Sequence, residues 1–581
     1  MRNQGTLCIL LSVFCVFTLF VGMREAAAET DYTALRAANA GKMAQRQPFL
    51  LTVKPVVIFT FGGLSQQEPL EDVLAVLVER GMRGTFFVTE RELQRNADNI
   101  ERIVAAGQDL GIGLRPEAGA DFAAYCAQIE RIQTELKIRY GIETNVVRQM
   151  SGADEDAINE AVSAMGCILV GQGLNVVQSK HKDAQTAEEL MPQLFGRWTT
   201  SLNRGEVVYL RTDFYTRTAL TAEIFRAILA EKLDNIAYHA PGASNAQMAQ
   251  ESMGSGYTGV SVQDVLSDTS TRYTYPVDVN TLPEEIRPYE RAEKLTEKTV
   301  AKEFLKRYIG APEVGETDRM LGFSRTEMRQ ADRTGIVKTV ADNTVFFTFD
   351  DWGSDDSVNH LLYVLRKHQA HGTFFVITRS IHNNPNLLRA IAAEGQEIGS
   401  HTNGHIPMTV QDDKGRQIPV QHPEEYYEDV RSSYEKLAMT VGDMKLPSGR
   451  YALTRLLRPP TLAVSRMGAT AIFNNGFGYI VNGSGSTEDY STVSMESLVG
   501  ILHHLTHEED GTVKRGAILV MHMSSTSLAT SKALDMLLTA NDALPDGHPG
   551  KFKTGFLGDY LTDDYDQSMK QVPPEKGYKL H

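Results

Sequence analysis

The chain has 581 residues, 42% hydrophobic and 23% charged, which is enough apolar material for several packed cores and excludes disordered and collagen-like classes. Its formal net charge of −15 argues against a surface built to neutralise phosphates, so nucleic acid is not an expected partner.

Near the start, Arg2 precedes an apolar run over 7–21, followed by Ala26-Ala27-Ala28. The run is short for a bilayer span and suits the central region of a secretory signal, so residues 1–28 are expected to be a signal peptide cleaved after Ala28. An uncleaved anchor is the alternative, because Gly22 and Met23 extend the run. Either reading exports the bulk of the chain to the periplasm, cell envelope or medium. No later charge-free run is long enough to cross a membrane, so no integral membrane domain is expected after signal removal. Cys8 and Cys15 leave with the signal. Cys126 and Cys167 remain, as one disulfide or two buried thiols.

The rest repeats itself. Val57, Phe59-Thr60-Phe61, Gly84-Thr85-Phe86-Phe87-Val88 and Gly107-Gln108 recur as Val345, Phe347-Thr348-Phe349, Gly372-Thr373-Phe374-Phe375-Val376 and Gly395-Gln396, at a constant offset of 288 residues. Gly205-Glu206-Val207-Val208 recurs later as Gly516-Ala517-Ile518-Leu519, at an offset of 311. Two copies of one domain are expected, over 50–268 and 338–565, joined by a connector over 269–337 in which 293–309 has helical spacing. In the second copy 345–349 reads as a strand, 357–367 as a helix, 373–377 as a strand, 386–394 as a helix and 397–400 as a strand. That order implies α/β copies with parallel sheets. The tail beyond about 564 reads as frayed.

Candidate chemistry gathers at strand ends of the second copy. Asp350-Asp351 follows the first strand, and His401 and His405 follow the third, a spacing that lets both imidazoles reach one ion. With a carboxylate they make a two-histidine, one-carboxylate set, which suits zinc or, in the competing reading, a non-haem iron oxygenase; the latter leaves the adjacent aspartate unexplained. Arg458 ends one apolar run and His522 ends another over 516–521. Asp355 and Asp356 read as favouring the next helix's N-terminus beside Ser354. In the first copy the positions of Asp350, Asp351, His401 and His405 hold Gly62, Gly63, Gly113 and Glu117, and His522 becomes Arg211. The frame is kept while the ligands are lost, so the first copy is expected to hold no metal there. Its Arg115, Arg148 and Arg211 read as solvated, with an anionic ligand as the alternative.

These motifs resemble the NodB-homology polysaccharide deacetylases, carbohydrate esterase family four: Thr348-Phe349-Asp350-Asp351, Ser400-His401-Thr402-Asn403-Gly404-His405, Arg458-Pro459-Pro460, Asp489-Tyr490 and Leu519-Val520-Met521-His522. Thr461 and Tyr490 depart from the family's usual aromatic and tryptophan. The resemblance implies two tandem deformed (β/α) barrels, the first degenerate, joined by a helical connector. It implies Zn²⁺, or Co²⁺ or Mn²⁺, on Asp351, His401 and His405. Asp350 is then the base, Arg458 its partner, His522 the acid and Asp489 the support of His522, with backbone N–H near Thr461 at the oxyanion. Pro460, Thr461 and Tyr490 line the substrate. Trp352, beside the base, reads either as a stacking platform for a sugar ring or as a packing residue. The implied activity is N-deacetylation of an exported acetylated polysaccharide that is chitin-like, peptidoglycan or exopolysaccharide. The alternatives are a non-catalytic glycan-binding scaffold and a deacetylase of O-acetyl esters or another amide. The segment 407–423, absent from the first copy, is expected to form a substrate-facing loop, and the first copy to act as a structural or glycan-positioning partner.

Overall fold

The structure, a computed structural model, describes residues 32–310, 320–491, 493–525 and 528–571. The expected signal peptide over 1–28, with Cys8 and Cys15, lies outside the described residues. Among the described residues no helix is long and apolar enough to cross a membrane. The chain forms two compact units, Met1–Gln47 with Thr85–Gly171, and Pro48–Gly84 with Gln172–His581.

In the first unit four parallel strands, Thr85–Val88, Asp109–Leu114, Val146–Gln149 and Ile168–Leu169, lie side by side in chain order. Helix Phe122–Tyr140 packs on them, started by the Asp121 carboxylate accepting from Ala124 N and stopped at Gly141, whose φ of 69° suits glycine. Cys126 and Cys167 are both free and buried. Burial pushes their thiols up, to about 11 and about 12, so the two-thiol reading holds and neither is a ready nucleophile.

In the second unit, Val56–Gly62 of the first repeat pairs in parallel with Val207–Arg211 and Thr258–Val260. The second repeat lies wholly in this unit. Its elements are β1 (Thr344–Asp351), α1 (Asp355–Lys367), β2 (Gly372–Val376), β3 (Glu397–Ser400), α2 (Pro423–Val441), β4 (Leu453–Leu457), β5 (Tyr479–Val481), β6 (Ile518–His522) and α3 (Leu528–Asp542). The strands run β6-β1-β2-β3-β4-β5, all parallel. Three residues, Asn482 to Ser484, carry the chain from β5 to strand Gly485–Ser486 beside β6. So short a step joins the two ends of the row and curls the sheet into an incomplete barrel. Alternation along each strand divides the core. Phe346, Phe375, Leu456, Val481 and Ile518 fill one cluster inside the curl, while Phe347, Phe349 and Phe374 join the helices in a larger one.

The connector departs from the expected helix. Helix starts only at Val300 and runs to Arg307, because the Leu295 N–H donates to Asn474 Oδ1 and the Leu295 carbonyl accepts from Asn474 Nδ2. Tyr308–Ile309 then pairs with β5, and Met320–Leu321 pairs with Val464–Ser465, so the connector belongs to the second repeat's sheets. The tail is docked as far as it is described: Gln567 is buried, its N–H bonds Lys306 O, and its carbonyl accepts from Lys338 Nζ. The segment 407–423 forms an antiparallel hairpin, Thr409–Gln411 with Gln417–Pro419.

Within this unit α1 is the seat of the first repeat's 172–268 segment. Asp355, read as a solvated cap, is fully buried and accepts from Arg204 N, Tyr257 Oη and Asn384 Nδ2. Asp356 accepts from Thr200 and Ser201, and Asn359 donates to Ile236 O. Burial lifts Asp355 to about 6. These carboxylates tie the repeats together, a role invisible in a D-D-S string.

At the far end of α1, Asp535 on α3 accepts from Tyr238 Oη (2.7 Å), Lys367 Nζ (2.8 Å) and His368 Nε2 (2.7 Å). Burial opposes its charge, yet the His368, Lys367 and Tyr238 hydrogen bonds hold the carboxyl down at about 2. Burial likewise opposes the His368 cation, and Asp535 and Asp542 outweigh it to raise that pKa. A lowered carboxyl stabilises above its unfolded pKa and loses the effect as pH falls towards 2; a raised imidazole stabilises below its unfolded pKa and loses it as pH rises. Both contributions are present between about pH 4 and 6.5. Asp535→Asn should therefore cost most in that window, about 1–2 kcal/mol after solvent screening. Thermal unfolding of both proteins across pH 2–8 checks this; a Tm difference that is flat with pH would contradict it.

Candidate functional site

β1 supplies two carboxylates only by breaking its own pattern. Phe346, Thr348 and Asp350 point inward, so Asp351 would point outward in a regular strand. Its φ of 81° turns it back to the rim. The first repeat puts Gly63 at this position with φ 73°, and the space its Cβ would need is taken by the Asp213 carboxylate. Eight non-glycine residues have positive φ among the described residues, and five stand here: Asp351, Thr402, His405, Thr461 and Leu462. Each costs about 1–3 kcal/mol and persists only where surroundings impose it.

Asp351 Oδ1 lies 3.8 Å from His401 Nε2 and 3.5 Å from His405 Nε2. The three donor atoms sit within 4.8 Å of one another, and this is the one such cluster of three or more found among the described residues. His401 is buried, with Nδ1 2.8 Å from the Arg458 carbonyl oxygen. Only the Nδ1–H tautomer makes that contact a hydrogen bond, which leaves the Nε2 lone pair facing Asp351. Burial and then the neighbouring His405 push His401 down to about 3, so the imidazole is neutral, as ligation requires. The loop bearing both histidines is held from α2, where Asp429 accepts from Gly404 N (2.7 Å) and Asn403 N (3.3 Å).

Beside this cluster Arg458 is wholly buried and uses four of its five N–H groups. They go to Asp350 Oδ1 (2.7 Å), Thr348 Oγ1 (2.7 Å), Val481 O (3.0 Å) and Asn482 O (2.5 Å). Its guanidinium also lies 4.3 Å from the Phe375 ring centre. Burial raises the Asp350 carboxyl, with Arg458 pulling against it. Asp350 Oδ2 is 4.0 Å from His401 Nε2, so one oxygen faces the arginine and the other the cluster.

Strand register sets His522 of β6 opposite Asp350. Its Nδ1 bonds Asp489 Oδ1 at 2.6 Å; Asp489 Oδ2 accepts from His522 N and from Thr530 Oγ1 on α3. Burial disfavours the imidazolium, but the Asp489 hydrogen bond and the charges of Asp350, Asp489 and Asp351 outweigh it and raise the pKa. Tyr490 is 57% exposed and meets His522 edge-on, ring centres 5.1 Å apart. Pro460 is buried and Thr461 exposed at the rim. Trp352 is half-buried against the helix-side core.

In the first repeat the register repeats the relation, with Gly62 opposite Arg211. Arg211 is paired to Asp213 at 2.7 Å, so its charge is spent internally. Arg148, read as solvated, is buried, lies opposite Gly113 and stands over Phe87 at 6.0 Å. That makes it the counterpart of Arg458 over Phe375, a kept residue that the sequence comparison missed because the two arginines fall where the offset between copies changes. Thr348, Asp429 and Thr530 were missed too, since single hydroxyls and a carboxylate on a charged helix carry no pattern.

The family model for polysaccharide deacetylase matches residues 52–170 and 337–472. The second match takes in Asp350, Asp351, His401, His405 and Arg458 and ends before Asp489 and His522. A chitooligosaccharide deacetylase of Rhizobium leguminosarum bv. trifolii is 35% identical over 71 residues, 12% of this chain and 33% of that protein. A peptidoglycan-N-acetylglucosamine deacetylase of Listeria monocytogenes is 27% identical over 204 residues, 35% of this chain and 37% of that protein. The chain spans about a third of the length of these curated relatives. A solved family 4 carbohydrate esterase from Streptomyces lividans in complex with acetate is 17% identical, covering 40% of this chain and 100% of that chain at a TM-score of 0.29. The two matched segments belong to the polysaccharide deacetylase family, the second with the aspartate–histidine cluster and the first without it.

Replacing Asp351 by Gly separates the two demands on that position. The metal-free fold should stay as stable or gain about 1 kcal/mol as the strain at φ 81° is released, while any binding of a divalent cation at the cluster, read by calorimetric titration, disappears. A large loss of stability, or retained stoichiometric binding, would contradict this.

Proposed function

We propose that the second repeat is a metal-dependent hydrolase that removes N-acetyl groups from an extracytoplasmic N-acetylated polysaccharide and releases acetate. The carrying observation is the meeting of Asp351, His401 and His405 between a buried Asp350–Arg458 pair and a His522–Asp489 pair. The donor set fits a borderline cation such as Zn²⁺: two neutral imidazoles and one carboxylate, with His401 oriented by a carbonyl behind it. Co²⁺ and Mn²⁺ are accommodated by the same donors. The relatives named above, which act on chitooligosaccharide and on peptidoglycan, support this substrate class. The signal-like segment over 1–28 supports export.

Asp351, His401 and His405 would hold the ion, and a bound divalent cation supplies Lewis-acid polarisation of the acetamide carbonyl and of water. Asp350 takes the proton from the attacking water at Oδ2, while Arg458 fixes Oδ1 and keeps the carboxylate from turning away. Burial makes Asp350 a stronger base than a surface aspartate. His522 gives a proton from Nε2 to the departing amine; Asp489 holds Nδ1 and favours the imidazolium beforehand. Backbone N–H groups near Thr461 are assigned to the developing oxyanion. Pro460, Thr461, Trp352 and Tyr490 are assigned to the rim around the acetamide. The products are acetate and a free amino sugar. In the first repeat the glycines at 62, 63 and 113 leave none of this machinery.

Purified protein loaded with zinc should release acetate from N-acetylated chito-oligosaccharides or peptidoglycan. Asp350→Asn and His522→Asn should each lower kcat by about 10²- to 10⁴-fold, with one equivalent of zinc still bound in Asp350→Asn. Full activity in either variant would remove that residue from its role. Release from O-acetylated glycans alone would replace the amide by an ester.

A further inference from the structure

The chain has two tryptophans, Trp198 and Trp352. Trp352 directly follows Asp351. Trp198 belongs to the first repeat and is 83% exposed, an unusual position for the side chain with the largest apolar payload. The loop carrying it is not loose at its base. Helix Ala187–Phe195 ends at Gly196 with φ 63°, and Arg197, Trp198 and Thr199 stand out into solvent. The chain is then pinned: Lys232 Nζ donates to Thr199 O, and Asn235 Nδ2 to Thr200 O. Thr200 Oγ1 bonds Ser354 Oγ (3.3 Å) and Asp356 Oδ1 (3.2 Å), and the buried Ser201 hydroxyl bonds both Asp356 N and Oδ1.

Ser354 comes two residues after Trp352, at the start of α1, on the face where β1 presents Asp350 and Asp351. Trp198 comes two residues before Thr200. With two residues of chain on each side and the hydrogen-bonded hydroxyls between, the Cα atoms of the two tryptophans lie within about 23 Å of each other. The Arg197 guanidinium stands 5.0 Å from the Trp198 ring centre, and the exposure leaves the ring open to solvent beyond that contact.

We propose that Trp198 is a carbohydrate subsite lent by the first repeat to the second repeat's site. The indole stacks on the apolar face of a pyranose ring belonging to the same glycan whose acetamide reaches Asp351, His401 and His405. The occupant is a β-linked N-acetylhexosamine oligomer long enough to reach Trp198 while its acetamide lies at the cluster. This rests on the deacetylase reading above. It gives the first repeat, which lacks the aspartate–histidine cluster, a specific duty, selection for chain length, and accounts for the hydrogen bonds from Thr200 and Ser201 to Ser354 and Asp356 as the rigid mount of the platform.

The test uses the full chain with Trp198→Ala and Trp198→Phe, changes at an exposed loop position. Acetate release is measured on N-acetylglucosamine oligomers of two and six rings. For Trp198→Ala the ratio of kcat/KM on the hexamer to that on the dimer should fall about five- to tenfold, mainly through KM on the hexamer, and Trp198→Phe should restore part of it. An unaltered ratio overturns the subsite. Should the wild type release no acetate from any glycan, the deacetylase reading fails, and fluorescence decides the subsite independently. In Trp352→Phe, where Trp198 is the sole indole, a saturable emission shift on adding the hexamer supports it, and a flat titration overturns it.

Discussion

Neighbouring side chains on a β-strand point to opposite faces, yet Asp350 and Asp351 both serve one rim. Everything at the site follows from how that conflict is resolved. The strand stays regular through Asp350, which points inward with Phe346 and Thr348, and then adopts φ 81° at Asp351. The two histidines arrive by a similar device, with Thr402 and His405 at φ 64° and 56° in a loop whose amides are gripped by Asp429. Left-handed backbone at non-glycine residues is costly. The first repeat shows the relaxed solution, Gly63 at φ 73°, with the ligands gone and the frame intact.

A second constraint is electrostatic. Arg458 is a full positive charge without solvent, tolerable because Asp350, a threonine hydroxyl and two carbonyls surround it. Such a pair adds little net stability, but it fixes the direction of Asp350 within a cavity of opposing preferences, burial raising that carboxyl and the arginine lowering it. The carbonyl of the same Arg458 sets the tautomer of His401. One residue thereby touches both the proposed base, Asp350, and a proposed metal ligand, His401.

Much of this was legible in the sequence. In the second copy the strands expected at 345–349, 373–377 and 397–400 fall within two residues of β1, β2 and β3, because short apolar runs between glycines leave few alternatives. The Asp350-Asp351, His401, His405, Arg458 and His522 set was legible because Asp350, Arg458 and His522 each end an apolar run and the two histidines follow a strand, and parallel strands put such ends on one face. What stayed hidden was long-range partnership. Asp355 and Asp356 do stand in the first turn of α1, as read, and are besides buried hydrogen-bond acceptors for the first repeat's 172–268 segment. The connector's helical spacing was real, but Asn474, almost two hundred residues away, competes for its backbone at Leu295. Arg148 was hidden by an insertion that shifts the offset between copies.

The central claim is that Asp351, His401 and His405 converge on one cation in the second repeat alone. X-ray absorption at the cobalt edge of the Co²⁺-loaded full chain, with the metal content counted, addresses it most directly. One ion per chain with two imidazole nitrogens and a carboxylate oxygen in its shell is the expected result, with both imidazoles lost in the His401→Ala, His405→Ala double variant. A shell without imidazole, or an unaltered spectrum in that variant, would contradict it.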